Sequence, residues 1–407
     1  MENHYAIQHS ACSELNVMKH LLFLGLLGAV ACHSSDHTFY ANFQQEPLSD
    51  AWELVPLGKD TSQNQAMPNG IAGAAVAQNI RLESPKFSVD PLQYYRIEML
   101  VQADEKTMWA MTFYGEEGEM LSADHYSSID PTIDFQRYVF YVQSNANAVQ
   151  AGFWLQPAEG QAASLKEIII NPATNNQEVK HWADSVYKTI PSVIFSPPED
   201  RFQYLDKTMT ALRNSEKVKV VMLGNSIIND TGNSAWEVLV EDMYPGADLE
   251  VITSVRGGTG CTYYQYENRI DTFVVQHQPD LLMIGGISHL SDTAAIHSVI
   301  KQVRERMETD PEIMVMSGPV GRDGDPRTNP DFTLEPSPDD FRTQLAEMSE
   351  NARVEYFDMK SAWGKYMSQT HASYDYFLRD PVHANARGRQ VLARLLEANF
   401  ESDRNNL

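Results

Sequence analysis

Val218-Lys219-Val220-Val221-Met222-Leu223-Gly224-Asn225-Ser226-Ile227 is the stretch on which the fold turns. Its first six residues are apolar except for Lys219, short enough for a buried strand, and they run into Gly-Asn-Ser without a polar spacer. Gly224 permits a tight turn, after which the Ser226 hydroxyl can face an open cleft with its backbone N–H free. The same texture repeats outward. Short apolar runs recur at 249–255, 281–284, 313–316 and 354–357. Between them lie helical stripes: Trp236, Leu239, Val240 and Met243, then Ile296, Val299, Ile300, Val303 and Met307, and finally Val391, Leu392, Leu395 and Leu396. Ser234-Ala235-Trp236-Glu237 reads as a capping box ahead of the first stripe. Five strands alternating with helices predict an α/β domain over 217–407, a flavodoxin-like five-stranded parallel sheet with helices on both faces. Its functional residues should sit at the carboxyl ends of the strands.

Residues 37–172 have a different rhythm. Alternating or aromatic stretches at 94–101, 108–114, 137–142, 151–155 and 164–170 are separated by turn formers such as Gly115-Glu116-Glu117-Gly118 and Asp130-Pro131. Strands at that spacing without a long helix predict an all-β sandwich. The polar run 171–177 and Pro197-Pro198 mark 173–216 as a linker, with a short helix near 179–187.

The chain has 407 residues, more than one core usually serves, so two folded units plus a processing segment are expected. A formal net charge of -24 argues against nucleic acid as a partner. Residues 1–36 read as an export segment. Met18-Lys19-His20 opens onto the apolar run 21–31, which is too short to span a bilayer and ends in Ala29-Val30-Ala31-Cys32. That ending resembles a bacterial lipobox with Cys32 as the lipidated residue; a plain cleaved signal peptide and a core strand are the other readings. Met18 is an alternative start. Once Cys12 is removed and Cys32 lipidated, only Cys261 remains, so no disulfide framework is expected. The resulting expectation is a periplasmic or cell-surface protein with a lipid anchor to a bacterial membrane.

Gly-X-Ser alone is more often a turn serine than a nucleophile. Here three further blocks follow in order: Arg256-Gly257-Gly258-Thr259-Gly260, Gly285-Gly286-Ile287-Ser288-His289 and Asp380-Pro381-Val382-His383. With these blocks, the second half of the chain resembles the GDSL/SGNH hydrolase family. The resemblance implies that Ser226 is the nucleophile, His383 its base and Asp380 the carboxylate that orients the imidazole. It also implies an oxyanion hole built from the backbone N–H groups of Ser226 and Gly260. Asn225 stands where the family usually has Asp. The third block departs more, because the family's asparagine donor is missing. Ser288 is the nearest counterpart, His289 stands beside it, and a distant residue is the remaining alternative. Losing one such donor costs on the order of 3 kcal/mol of transition-state stabilisation.

The remaining candidates have competing readings. Cys261 is expected to be a packing thiol. Tyr263, Tyr264 and Tyr266 could line a sugar-stacking wall or simply pack. Arg256 and Arg379 could hold a substrate carboxylate or sulfate, or form structural ion pairs. Asn225 and His289 complete the candidate substrate contacts. The histidines show no metal-ligand spacing, so no metal or other cofactor is expected. The N-terminal half is similar in texture to galactose-binding-like jelly rolls, with Trp52, Trp109 and Trp154 as candidate sugar platforms or, more ordinarily, core residues. The function expected is an exported serine esterase removing acyl groups, foremost O-acetyl, from a carbohydrate. The alternatives are an impaired hydrolase domain acting as a glycan-binding surface protein, and a lipid or simple-ester hydrolase.

Overall fold

The computed structural model describes residues 38–43, 51–57, 74–76, 80–286, 291–319, 321 and 323–401. The export segment with Cys12, Met18 and Cys32 lies outside the described residues, as do Ser288 and His289. Among the described residues, eleven strands occupy the N-terminal half: β1 (Phe39–Asn42), β2 (Glu53–Pro56), β3 (Ala74–Val76), β4 (Ile80–Glu83), β5 (Phe87–Ser88), β6 (Tyr94–Ala103), β7 (Thr107–Tyr114), β8 (His125–Ile129), β9 (Gln136–Gln143), β10 (Gln150–Gln156) and β11 (Ala163–Pro172). They form two antiparallel sheets. One runs β1-β11-β6-β9 with β3 also on β11, and the other runs β2-β4-β10-β7-β8 with β5 on β10. Alternation along the strands builds the core. Ile97, Met99 and Val101 from the first sheet meet Trp109, Met111, Phe113, Phe153 and Leu155 from the second. The all-β expectation holds, and the aromatic alternation identified its longest strands.

Trp52, Trp109 and Trp154 are all buried, which removes them as open sugar platforms. Trp109 lies between the sheets. Trp154 points the other way from its core-facing neighbours and is covered by the Tyr126 ring, 5.8 Å away, and the Arg81 guanidinium, 5.1 Å away.

The second half alternates strands with one or two helices: α1 (Asn176–Tyr187), α2 (Asp206–Arg213), β12 (Lys217–Gly224), α3 (Ser226–Gly232), α4 (Trp236–Met243), β13 (Asp248–Val255), α5 (Cys261–Tyr264), α6 (Arg269–Phe273), β14 (Leu281–Ile284), α7 (Thr293–Arg306), β15 (Glu312–Met316), α8 (Phe341–Ala352), β16 (Glu355–Phe357), α9 (Met359–Gln369) and α10 (Ala386–Phe400). The five strands are parallel in the order β13-β12-β14-β15-β16, the flavodoxin-like arrangement. Successive residues serve opposite faces. Val218, Val220 and Met222 pack under α1, α2, α4, α9 and α10. Val221 and Leu223 pack under α5, α6, α7 and α8.

Two local expectations give way to packing. The 173–216 segment is not a free linker, because Val179 and Ala183 of α1 and Met209 and Leu212 of α2 are buried in the α/β core. Ser234 and Glu237 form no capping box either. Ala235 precedes α4 in the left-handed region at φ 61°, Ser234 donates its hydroxyl to the Thr231 carbonyl at 2.6 Å, and the Glu237 side chain meets Tyr94 of the sandwich.

The described residues all fall in one compact unit. Sandwich turns reach the loops at the carboxyl edge of the parallel sheet. Ser122 donates to the Val255 carbonyl at 2.6 Å, Lys106 Nζ to the Leu378 carbonyl at 3.0 Å, and Asp130 pairs with Arg387 at 2.8 Å.

Candidate active site

The site begins where β12 ends. A side chain on Gly224 would collide with the Gly285 backbone carbonyl, since β12 and β14 converge there. The Gly224 carbonyl accepts from Tyr264 Oη at 2.5 Å and from the Arg256 N–H at 3.2 Å, which ties it to the loop after β13. Asn225 is extended and caps α3, its Oδ1 accepting from the Ile227 N–H at 2.9 Å. Ser226 is therefore the first helical residue, one of the positions whose N–H has no partner within a helix. Asn225 Nδ2 donates to the Thr259 carbonyl at 3.2 Å, joining this turn to the Arg256–Gly260 block. Gly286 closes the third side: its φ is +96°, and a Cβ there would meet the Asn225 side chain.

The partner loop lies between α9 and α10. Asp380 Oδ1 accepts from the N–H groups of Val382 at 2.8 Å and His383 at 3.0 Å, a turn that places the imidazole over its own carboxylate. His383 Nδ1 lies 2.9 Å from both Asp380 oxygens, and Nε2 lies 2.8 Å from Ser226 Oγ. A carboxylate only accepts, so the ring proton sits on Nδ1 and Nε2 is left to accept from the serine hydroxyl. Burial pushes the Asp380 carboxyl up, but the His383 hydrogen bond, the Val382 N–H and the Arg379 charge outweigh it and hold the pKa below its ordinary value. This geometry suits a serine made nucleophilic by an oriented imidazole.

Other sequence candidates fall differently. Arg379 is buried beside the loop, pairing with Asp230 at 2.6 Å, so it is a structural ion pair and not an open substrate contact. Asn225 is likewise buried, because capping and the cross-loop bond consume its amide. Tyr264 is fully buried among Tyr263 and Phe273 and cannot belong to a sugar wall. Tyr263 is partly exposed and lies between the Arg256 and Arg269 guanidiniums, 4.4 and 3.7 Å from its ring; Tyr266 is exposed. Arg256 is exposed, and no carboxylate lies within ion-pair reach of it among the described residues. Cys261 is a buried packing thiol, pushed up to about 12 by burial. Among the described residues no group of three or more His, Cys, Asp or Glu side chains could hold a metal ion.

Sequence reasoning did not single out Asp230, Arg389 and His125, which are buried together beneath the Asp380–His383 loop. One signal was available: Asp230 follows Ser226 by four residues, one helical turn, on the same short helical segment.

No family model and no curated protein matches the chain. Solved structures do resemble it. A two-domain esterase (CEX) active on acetylated mannans, co-crystallised with mannopentaose, aligns at 14% identity and TM-score 0.40 over 50% of this chain. The match spans only 55% of that esterase's own length. An Axe2 mutant, an acetyl-xylooligosaccharide esterase from Geobacillus Stearmophilus, aligns at 16% identity and TM-score 0.35, covering 46% of this chain and 95% of the other. The salicylyl-acyltransferase SsfX3 from a tetracycline biosynthetic pathway aligns over 88% of this chain and 96% of its own, at 13% identity and TM-score 0.29.

Proposed function

We propose that the chain is a serine esterase that removes acyl groups, foremost O-acetyl, from a carbohydrate through Ser226, His383 and Asp380. The observation that carries this reading is the continuous hydrogen-bond line from Ser226 Oγ to His383 Nε2 at 2.8 Å and from Nδ1 to Asp380 at 2.9 Å. His383 takes the serine proton as Oγ attacks the ester carbonyl, and Asp380 stabilises the imidazolium that forms. The N–H groups of Ser226 and Gly260 meet the developing oxyanion. His383 then gives its proton to the departing sugar oxygen, leaving an acyl-serine. Water, deprotonated by the same imidazole, attacks the acyl carbon and releases the acid and free serine. Reaction type rests on this geometry. The sugar rests on the family resemblance and on the texture of the attached sandwich, and export rests on the 21–31 run and Cys32.

Ser226→Ala is the test. In the full chain it should lower acetate release from acetylated oligosaccharides by at least about 10⁴-fold, with the melting temperature within a few degrees of wild type. A fluorophosphonate probe should label wild type and not the variant. Activity retained by Ser226→Ala would sink the proposal. Turnover of nitrophenyl acetate with none of any acetylated glycan would reassign the substrate to simple esters, and glycan binding without labelling or turnover would favour a binding module.

A further inference from the structure

The loop that carries Asp380 and His383 is pinched at its base by an isolated β-bridge between Leu378 and Ala384, but that bridge does not tie it to the helix that carries Ser226. Asp230 supplies the fastening. It lies one turn beyond Ser226 on the same helix, α3, and is fully buried, at 0% exposure. Its Oδ1 accepts from Arg379 Nη1 at 2.6 Å, and its Oδ2 accepts from the Ala384 N–H at 3.0 Å. Arg379 is the residue before Asp380 and Ala384 the residue after His383. Arg379 Nη1 also donates to the Ala384 carbonyl at 2.6 Å, and its N–H donates to the His383 carbonyl at 3.0 Å. One carboxylate thus grips both ends of the loop from the helix whose first residue is the nucleophile.

A second arginine completes the cluster, and the sandwich takes part. Arg389 on α10 donates Nη2 to Asp230 Oδ1 at 2.7 Å and to the Tyr126 carbonyl at 2.5 Å, and Nη1 to His125 Nε2 at 2.8 Å. Since Nε2 accepts, the His125 proton is on Nδ1, which faces Asn233 Oδ1 at 3.3 Å. Burial first, then the Arg389 charge, keep this imidazole well below its usual pKa, so β8 brings a neutral acceptor and no third positive charge. Stacking of the ring on Trp109, 5.3 Å between centroids, fixes it to the sandwich core.

We infer that Asp230 is a positioning residue that sets the distance between Ser226 and His383, and that the sandwich, through His125, is part of the same clamp. This rests on reading Ser226, His383 and Asp380 as the acyl-transfer machinery. The test is Asp230→Asn in the full chain, which keeps the shape and removes the charge. Turnover of nitrophenyl acetate should fall about 10²-fold in kcat with KM within about twofold, because a displacement of about 1 Å costs that much. In a His383→Ala background the same substitution should change the residual rate by less than about twofold, since the distance it sets no longer matters. The low-field proton resonance of His383 Nδ1–H should shift or broaden, a readout independent of substrate. An unchanged kcat and resonance, or an equal loss in both backgrounds, would overturn the inference.

If Asp230→Asn does not fold, His125→Phe keeps the ring against Trp109 and removes the acceptor for Arg389 together with the Nδ1–H that faces Asn233. It should lower kcat about tenfold at unchanged KM, and a folded His125→Phe protein with wild-type kcat would overturn the inference. Failure of the esterase reading would look different. Ser226→Ala would then keep the activity, while the resonance would still report on the loop.

Discussion

Gly224 has no room for a methyl group, because the carbonyl of Gly285 occupies the space where one would go. Gly224→Ala must therefore push β12 away from β14 at the point where the Ser226 turn begins. It should lower esterase kcat about 10²-fold and cost about 1–3 kcal/mol of stability, measurable by steady-state kinetics and urea unfolding; activity within twofold of wild type would show that the strand ends can yield. Residue identity was legible in the sequence wherever spacing decided it. Gly224-Asn225-Ser226 at a strand end and Asp380 three residues before His383 mark positions that the fold brings within hydrogen-bond distance. Side-chain direction was not legible. Tyr263 and Tyr264 are neighbours with the same propensities, yet one is partly exposed between two guanidiniums and the other is sealed in the core with its hydroxyl on the Gly224 carbonyl.

At the scale of elements, α10 shows how a helix start can shape a site. Its cap, Asn385, accepts from the N–H groups of Arg387 at 2.9 Å and Gly388 at 3.1 Å and donates to the carbonyls of Tyr376 at 3.0 Å and Leu378 at 3.2 Å. Asn385→Ala would leave these groups unpaired in a buried setting. The expected loss is about 2–4 kcal/mol, above that of an exposed cap, with kcat falling more than KM changes because Leu378 and Ala384 bracket the Asp380–His383 loop. Thermal melts and kinetics on one preparation check both parts, and a loss below about 1 kcal/mol would reduce Asn385 to an ordinary cap. Strands of the parallel sheet were legible as continuous apolar runs, since both faces are buried and both need apolar residues. The capping box at Ser234 was misread for a complementary reason. Ser-X-X-Glu describes local options, but Glu237 is drawn to Tyr94 on another part of the chain, and Ala235 adopts a left-handed backbone that the pattern does not anticipate.

Across the whole molecule, the same Glu237 records how closely the two halves are joined. Burial raises its carboxyl to about 7 against the lowering effect of the Tyr94 hydroxyl, and its Oε2 has no partner among the described residues. Below pH about 4.5 the folded and unfolded chains both hold the proton, and its contribution is fully present. Between there and about 7 the unfolded chain ionises first, so stability falls as pH rises, by on the order of 3 kcal/mol, and stays lower above. Glu237→Gln lacks this loss. Its melting temperature relative to wild type should rise on going from pH 5 to pH 8, and an equal difference at both values would show that the carboxyl ionises freely in the folded chain.

Two things about this protein follow from the sequence alone: the division into an all-β half and an α/β half, and the order of the chemistry-bearing blocks along the second. Both depend on periodicity and spacing, which are local properties of the chain. Only the tertiary structure decided that 173–216 packs into the core, that Arg379 and Asn225 face inward, and that a sandwich histidine meets Asp230 through Arg389. Those outcomes depend on which buried charges and amides find partners across distances of up to 264 residues in the chain, and no local pattern encodes that pairing.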